Sequence, residues 1–139
     1  MLYQVDQEFQ VSVIRISGED TSKAIELMTG KVVPKPRVAT LRKINKINTS
    51  ELIDEGLILW FPGPESYTGE DMAEIQVHGS KAVVDALHAN ISKIENCRLA
   101  EPGEFTRLAF QNGKINLLKA ERVSSCPKLW LGLPTPQEP

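Results

Sequence analysis

Hydrophobic and polar positions alternate along the chain in two different periods. In residues 9–17, FQVSVIRIS, Phe9, Val11, Val13 and Arg15 fall on one face and Gln10, Ser12, Ile14 and Ile16 on the other. Period-two spacing with β-branched residues predicts a strand. Arg15 is its odd member, a cation on a face with valines. It is either an edge residue reaching water or a clamp for a carboxylate or phosphate. Gly18 breaks the strand, and Glu19 and Asp20 open a helical pattern with the acidic first turn that the helix dipole favours. Ala24, Ile25, Leu27 and Met28 supply its apolar face, and Gly30 is its stop. After the stiff connector PKPR, residues 38–44 predict a second strand. The polar stretch NKINTSE turns the chain into a strand over 52–61, so that the two make a hairpin. LILWF within it is almost wholly apolar, which predicts a central strand covered on both faces.

Pro62 ends that strand, and PGPESYTGED is a loop by its prolines and glycines. Tyr67 at its centre either anchors the loop through its hydroxyl or stacks on a ligand. Residues 72–78 alternate again, with Ala73, Ile75 and Val77 on one face and Met72, Glu74, Gln76 and His78 on the other. That polar face is either simply wet or a functional surface. A helix follows from Gly79 and Ser80 to about Ile94, with Val83, Val84, Leu87, Ile91 and Ile94 as its stripe and His88 outside it, in solvent. Residues 97–100 suggest a short strand, and 104–110 a short helix with Phe105, Leu108 and Ala109 inward, ending at Gly113. A helical pattern resumes over 115–123. The last stretch, SSCPKLWLGLPTPQEP, is proline-rich and predicts no element.

Composition narrows the possibilities. A chain of 139 residues suits one domain. Net charge is −2, which provides no electrostatic footprint for non-specific nucleic-acid binding. Cys97 and Cys126 are far apart, with no CxxC and no nearby histidine pair, so neither a zinc site nor a disulfide framework is expected. No apolar run approaches the roughly 20 residues that span a membrane, and no secretory-signal layout opens the chain. There is no GxxxxGK[ST], no GxGxxG after a strand, no GxSxG and no HExxH. No residue is therefore assigned a catalytic or metal-ligating role.

Three ordered motifs carry a resemblance. LWFPGPESYTGEDMAEIQVHG at 59–79 is similar to the signature LWFPGPxSFTGEDxxExxxHGG of the N-terminal domain of the MnmE/TrmE family of tRNA modification GTPases, with Tyr67 for Phe and Ser80 for the second Gly. VIRISG at 13–18 resembles the family's first strand. AEPGEFTRLAFQNGKINLLKAE at 100–121 resembles its PGEFxxRAFxNGKxDLxxAE block, with Asn116 where Asp is usual. The resemblance covers roughly residues 11 to 123 and departs from the family in MLYQVDQEFQ, which stands where a Gly/Pro-rich run is usual.

The resemblance implies an α+β fold (mixed α/β), a mixed sheet with packed helices, similar to the tetrahydrofolate-binding domain of one-carbon transfer enzymes. It implies a folate-binding and dimerisation domain over 1–114, the start of the family's helical domain over 115–123, and a divergent tail over 124–139. The implied cofactor is a tetrahydrofolate derivative, 5-formyl- or 5,10-methylene-tetrahydrofolate, contacted at Arg15, Glu74 and Lys114. A carboxylate such as Glu74 can accept a paired hydrogen bond from a pterin's amino and ring N–H groups. A cation can neutralise the carboxylates of the folate tail. Further implications are a homodimer, an MnmG-type flavoprotein partner, tRNA reached through the full-length complex, and modification of the wobble uridine at C5. No membrane partner is implied. Location follows origin: mitochondrial in a eukaryote, the favoured expectation, or cytoplasmic in a bacterium. GTP, Mg and K belong to the full-length family. This sequence has neither a P-loop nor the family's C-terminal CxGK, so it resembles a chain truncated before the GTPase domain, with no GTP hydrolysis expected. The alternatives are a dimerisation module that does not bind folate and a stand-alone one-carbon-transfer enzyme. Against the latter stands the lack of a nucleophile or acid–base constellation.

Overall fold

A computed structural model describes residues 1–8 and 10–113. In chain order the elements are β1 (Leu2–Glu8), β2 (Val11–Ser17), α1 (Thr21–Thr29), β3 (Thr40–Asn45), β4 (Leu52–Phe61), β5 (Met72–His78), α2 (Lys81–Ser92), β6 (Arg98–Leu99) and α3 (Glu104–Gln111). The strands form one six-stranded sheet in the order β3-β4-β5-β2-β1-β6. Each neighbouring pair is antiparallel except β1 with β6, which is parallel. The domain is thus α+β, with a mixed sheet and packed helices.

Register assembles the two faces. Tyr3, Ile16, Ala73 and Trp60 align across four strands, as do Val5, Ile14, Ile75 and Ile58. These residues join Ala24, Ile25 and Met28 of α1 and Leu87 and Ile91 of α2 in one core. On the opposite face, Leu2, Ser17, Met72 and Phe61 align at one end of the sheet. There Leu2 and Met72 pack with Ala100 and Phe105, and Phe61, Tyr67 and Leu108 close over them. Farther along this face Val11, Leu41 and Leu57 are exposed.

This arrangement corrects the expectation that the 52–61 strand is covered on both faces. β4 is central, between β3 and β5. Yet Ile58 and Trp60 are buried while Leu57 is exposed, because α1 and α2 cover only one face of the sheet. A continuous apolar run does not by itself show what covers its second face. Leu27 of α1 is likewise exposed rather than inward. α1 begins at Thr21, with no acidic residue in its first turn. Its Gly30 stop is left-handed at φ 70°, with the Gly30 N–H donating to the Glu26 carbonyl at 2.8 Å. His88 is exposed, but its Nδ1 lies 2.6 Å from the Tyr3 hydroxyl. β1 is the strand that the pattern did not announce. Its polar residues mask the Tyr3/Val5 alternation, and pairing with β2 overrides that weak local signal. Phe9, the 115–123 segment, Cys126 and the proline-rich stretch lie outside the described residues.

Asn90, buried on α2, holds the β3–β4 turn: its Oδ1 accepts from the Ile47 N–H at 2.9 Å and its Nδ2 donates to the Asn45 carbonyl at 3.2 Å. Gly56 of β4 allows a close approach to β5. A Cβ there would stand 2.3 Å from the Gln76 carbonyl oxygen and 3.0 Å from Val77 Cγ1. Backbone cannot yield as a side-chain tip can, so Gly56→Ala should destabilise the domain by about 1–3 kcal/mol. Denaturant unfolding checks this; an unchanged midpoint would show that the strands part freely there.

Candidate functional site

Arg15 and Glu74 are register partners on β2 and β5. Cross-strand partners share a face, and Arg15 Nε lies 3.4 Å from Glu74 Oε2 with both side chains about four-fifths covered (19% and 20% exposed). Glu74 Oε1 accepts from Gln76 Nε2 at 2.8 Å. Together with Phe61, Tyr67 and Met72, the pair lines a recess of about 220 Å³. The charged groups sit where the apolar end of the sheet face meets its wetter part.

The 62–71 loop forms one wall and is tied down by its own polar groups. Ser17 Oγ lies 2.8 Å from Thr68 Oγ1 and donates to Glu70 Oε1 at 3.2 Å. The Gly63 N–H donates to Asp71 Oδ1 at 2.8 Å, and the Gly18 N–H donates to the Asp71 carbonyl at 3.0 Å. Gly69 has φ 82°, which brings the backbone against Asn112, whose Nδ2 donates to the Thr68 carbonyl at 2.6 Å. Tyr67 anchors the loop, as the first of the two readings has it. Its hydroxyl donates to Thr106 Oγ1 at 3.3 Å, and the residue is among those lining the recess. Burial raises the Tyr67 phenol pKa, against the opposing effects of the Thr106 bond and the Arg15 charge.

α3 is the floor. Phe105 and Ala109 are buried, and Glu104 fastens the helix to β6. Its carboxylate accepts from Arg98 Nη1 at 3.0 Å, from Arg98 Nη2, and from the Glu101 N–H at 2.9 Å. The Arg98 hydrogen bonds hold the Glu104 carboxyl below its usual pKa; burial opposes them, and the Glu101 N–H and nearby cations assist.

Of the residues singled out in sequence, Arg15 and Glu74 come together, while Lys114 lies outside the described residues. Gln76 supports Glu74. His78 points elsewhere: its Nδ1 and its backbone N–H both reach Asp54 Oδ2 at 2.9 Å, at the far end of β5. Burial raises the Asp54 pKa, but the bonds from His78 and the Glu55 amide outweigh it and hold the carboxyl below its ordinary value. Among the described residues, no group of three or more His, Cys, Asp and Glu is placed to hold a metal ion. No helix among them is long and apolar enough to cross a membrane.

No motif or periodicity singles out Gln4. It is the β1 register partner of Arg15 and therefore shares its face. It is 3% exposed, and neither amide atom has a hydrogen-bond partner. Burying an unpaired amide costs about 1–3 kcal/mol. Only the Tyr3/Val5 alternation could have placed Gln4 on this face beforehand.

The family model described as "GTP-binding protein TrmE N-terminus" matches residues 5–114. The chain belongs to this family of TrmE N-terminal domains. It is 75% identical over 114 residues to the tRNA modification GTPase MnmE of Pelagibacter ubique, covering 82% of this chain and 26% of that protein. It is 46% identical over 114 residues to the MnmE of Paramagnetospirillum magneticum, covering 82% of this chain and 25% of that protein. It is also 45% identical over 114 residues to the mitochondrial 5-taurinomethyluridine-[tRNA] synthase subunit GTPB3 of Danio rerio, covering 82% of this chain and 23% of that protein. The chain thus spans about a quarter of the length of these relatives, two of which are bacterial and one mitochondrial.

The Glu104 clasp makes the attachment of α3 to β6 acid-sensitive. A carboxyl whose pKa is lowered by folding contributes stability above its unfolded value, and that contribution is lost as pH falls through the folded pKa. Glu104→Gln should therefore be less stable than the wild type at neutral pH, with the gap narrowing as pH drops below the unperturbed 4.5. Unfolding free energies of both proteins between neutral pH and pH ~3 test this; a constant gap would assign the cost to lost packing.

Proposed function

We propose that this chain is a tetrahydrofolate-binding, self-associating domain serving a tRNA wobble-uridine-modifying GTPase. The observation that carries the reading is the Arg15–Glu74 pair in a recess walled by Tyr67 and Phe61. Glu74 offers carboxylate oxygens to paired N–H groups of a pterin, at the cost of its bonds to Gln76 and Arg15. Arg15 stands beside it as the cation for a carboxylate tail. Tyr67 and Phe61 supply flat apolar surface for a ring. At about 220 Å³ the recess is smaller than the roughly 300–1,000 Å³ usual for small-molecule sites. It suits the ring of a folate, with the remainder of the cofactor lying outside it or against a second copy. Lys114 is assigned to the same site by resemblance. A bound folate would supply the one-carbon unit for C5 of the uridine; this chain's residues bind and orient.

The names of the relatives support the tRNA part of the reading, and an MnmG-type flavoprotein is the partner proposed for the complete protein. Cytoplasmic and mitochondrial settings correspond to the two kinds of relative. Val11, Leu41 and Leu57, the exposed apolar strip on the open sheet face, are the surface we assign to a second copy.

Calorimetry with 5-formyltetrahydrofolate tests the ligand. The wild-type chain should bind it, and Glu74→Ala should bind more weakly by ~1–3 kcal/mol, the usual cost of unpairing a charged hydrogen-bond partner. A well-folded dimer blind to folate would leave a dimerisation module instead. Sedimentation tests the interface: Leu41→Asp with Leu57→Asp should convert a dimer to monomer, and a dimer that survives both changes places the contact elsewhere.

A further inference from the structure

We propose that Gln4 is a third polar contact of the Arg15–Glu74 recess, satisfied only when ligand is bound. The inference rests on the folate reading above and adds a residue to it. Gln4, Arg15 and Glu74 occupy one row across β1, β2 and β5, on one face of the sheet. The carboxamide has two donors and an acceptor, is 3% exposed, and has no partner for either Nε2 or Oε1. Buried polar groups are almost always paired, and an exception in a folded domain marks a group held for another purpose. Ser12 Oγ also has no partner, but it shares its face with Val77, beneath the helices.

Strands are about 4.8 Å apart, so Gln4 stands roughly 10 Å across the row from Glu74. A folate seated on Glu74 by its pterin extends in some direction over this distance. Along the row, its benzoyl amide group meets a side-chain amide with matching donor and acceptor. Gln4 is closed to solvent in the free domain and stands beside the recess rather than on its lining, so a ligand reaches it by displacing a neighbour. Arg15, its register partner, is the polar side chain between it and Glu74, held to Glu74 by a 3.4 Å Nε approach. A ligand that takes the Glu74 oxygens competes for that contact and releases Arg15 to move along the row.

The experiment is Gln4→Met in the full chain, a change of similar length that deletes the amide. Without folate, its melting temperature should equal or exceed that of the wild type, because an apolar group replaces an unpaired polar one. Its affinity for 5-formyltetrahydrofolate should fall roughly 3- to 10-fold, the loss of one neutral hydrogen bond. A merely structural amide predicts the reverse: lower stability and unchanged affinity. Wild-type folate binding matched by the variant overturns the Gln4 assignment alone. A variant that fails to fold also overturns it, by showing that the amide stabilises the free domain. A wild-type chain blind to folate overturns both this assignment and the folate reading.

Discussion

The antiparallel register between β2 and β5 is the constraint on which the rest depends. It sets Ile14 against Ile75 and Ile16 against Ala73 on one face, and Arg15 against Glu74 on the other. A slip of one residue would turn all of these over at once. The apolar pairs are fully buried beneath two helices, so a slip would expose the core and bury an ion pair. The hydrophobic effect on one face thus holds the geometry of the charged pair on the other. The site needs no strong interaction of its own to keep its place.

A second consequence is the asymmetry of the sheet. α1 and α2 pack over one face, whereas α3 and the 62–71 loop cover one end of the other. The recess forms at that boundary, where Met72 and Phe61 pass from packed cluster to open wall. The loop keeps its shape through Ser17, Thr68, Glu70 and Asp71 rather than by regular structure. This accounts for a polar, glycine-rich stretch directly beside a hydrophobic strand. Its hydroxyls and carboxylates satisfy backbone and side-chain groups that no ladder reaches.

The polar groups near the recess divide by whether they are satisfied. Glu104 and Thr68 have their partners within the domain and act as fasteners. Gln4 has none. A domain that bound nothing on this face would be better served by an apolar residue there.

Much of this was legible in the chain before folding. Alternation located β2 and β5, because period two is a local property of each segment, and an apolar run after a polar turn located the hairpin of β3 and β4. It also placed Glu74 and Gln76 opposite Ile75, and it marked Arg15 as out of keeping with its neighbours. Motif spacing joined those two residues to one family before any distance was known. What only the tertiary structure decided is adjacency and coverage. β1 shows weak alternation of its own and becomes a strand by pairing with β2, which carries Gln4 to Arg15. LILWF gives no sign of which of its residues will be left uncovered, because that depends on where α1, α2 and α3 dock. Periodicity is written into each segment, whereas register and covering are properties of pairs of segments, and only their packing reveals them.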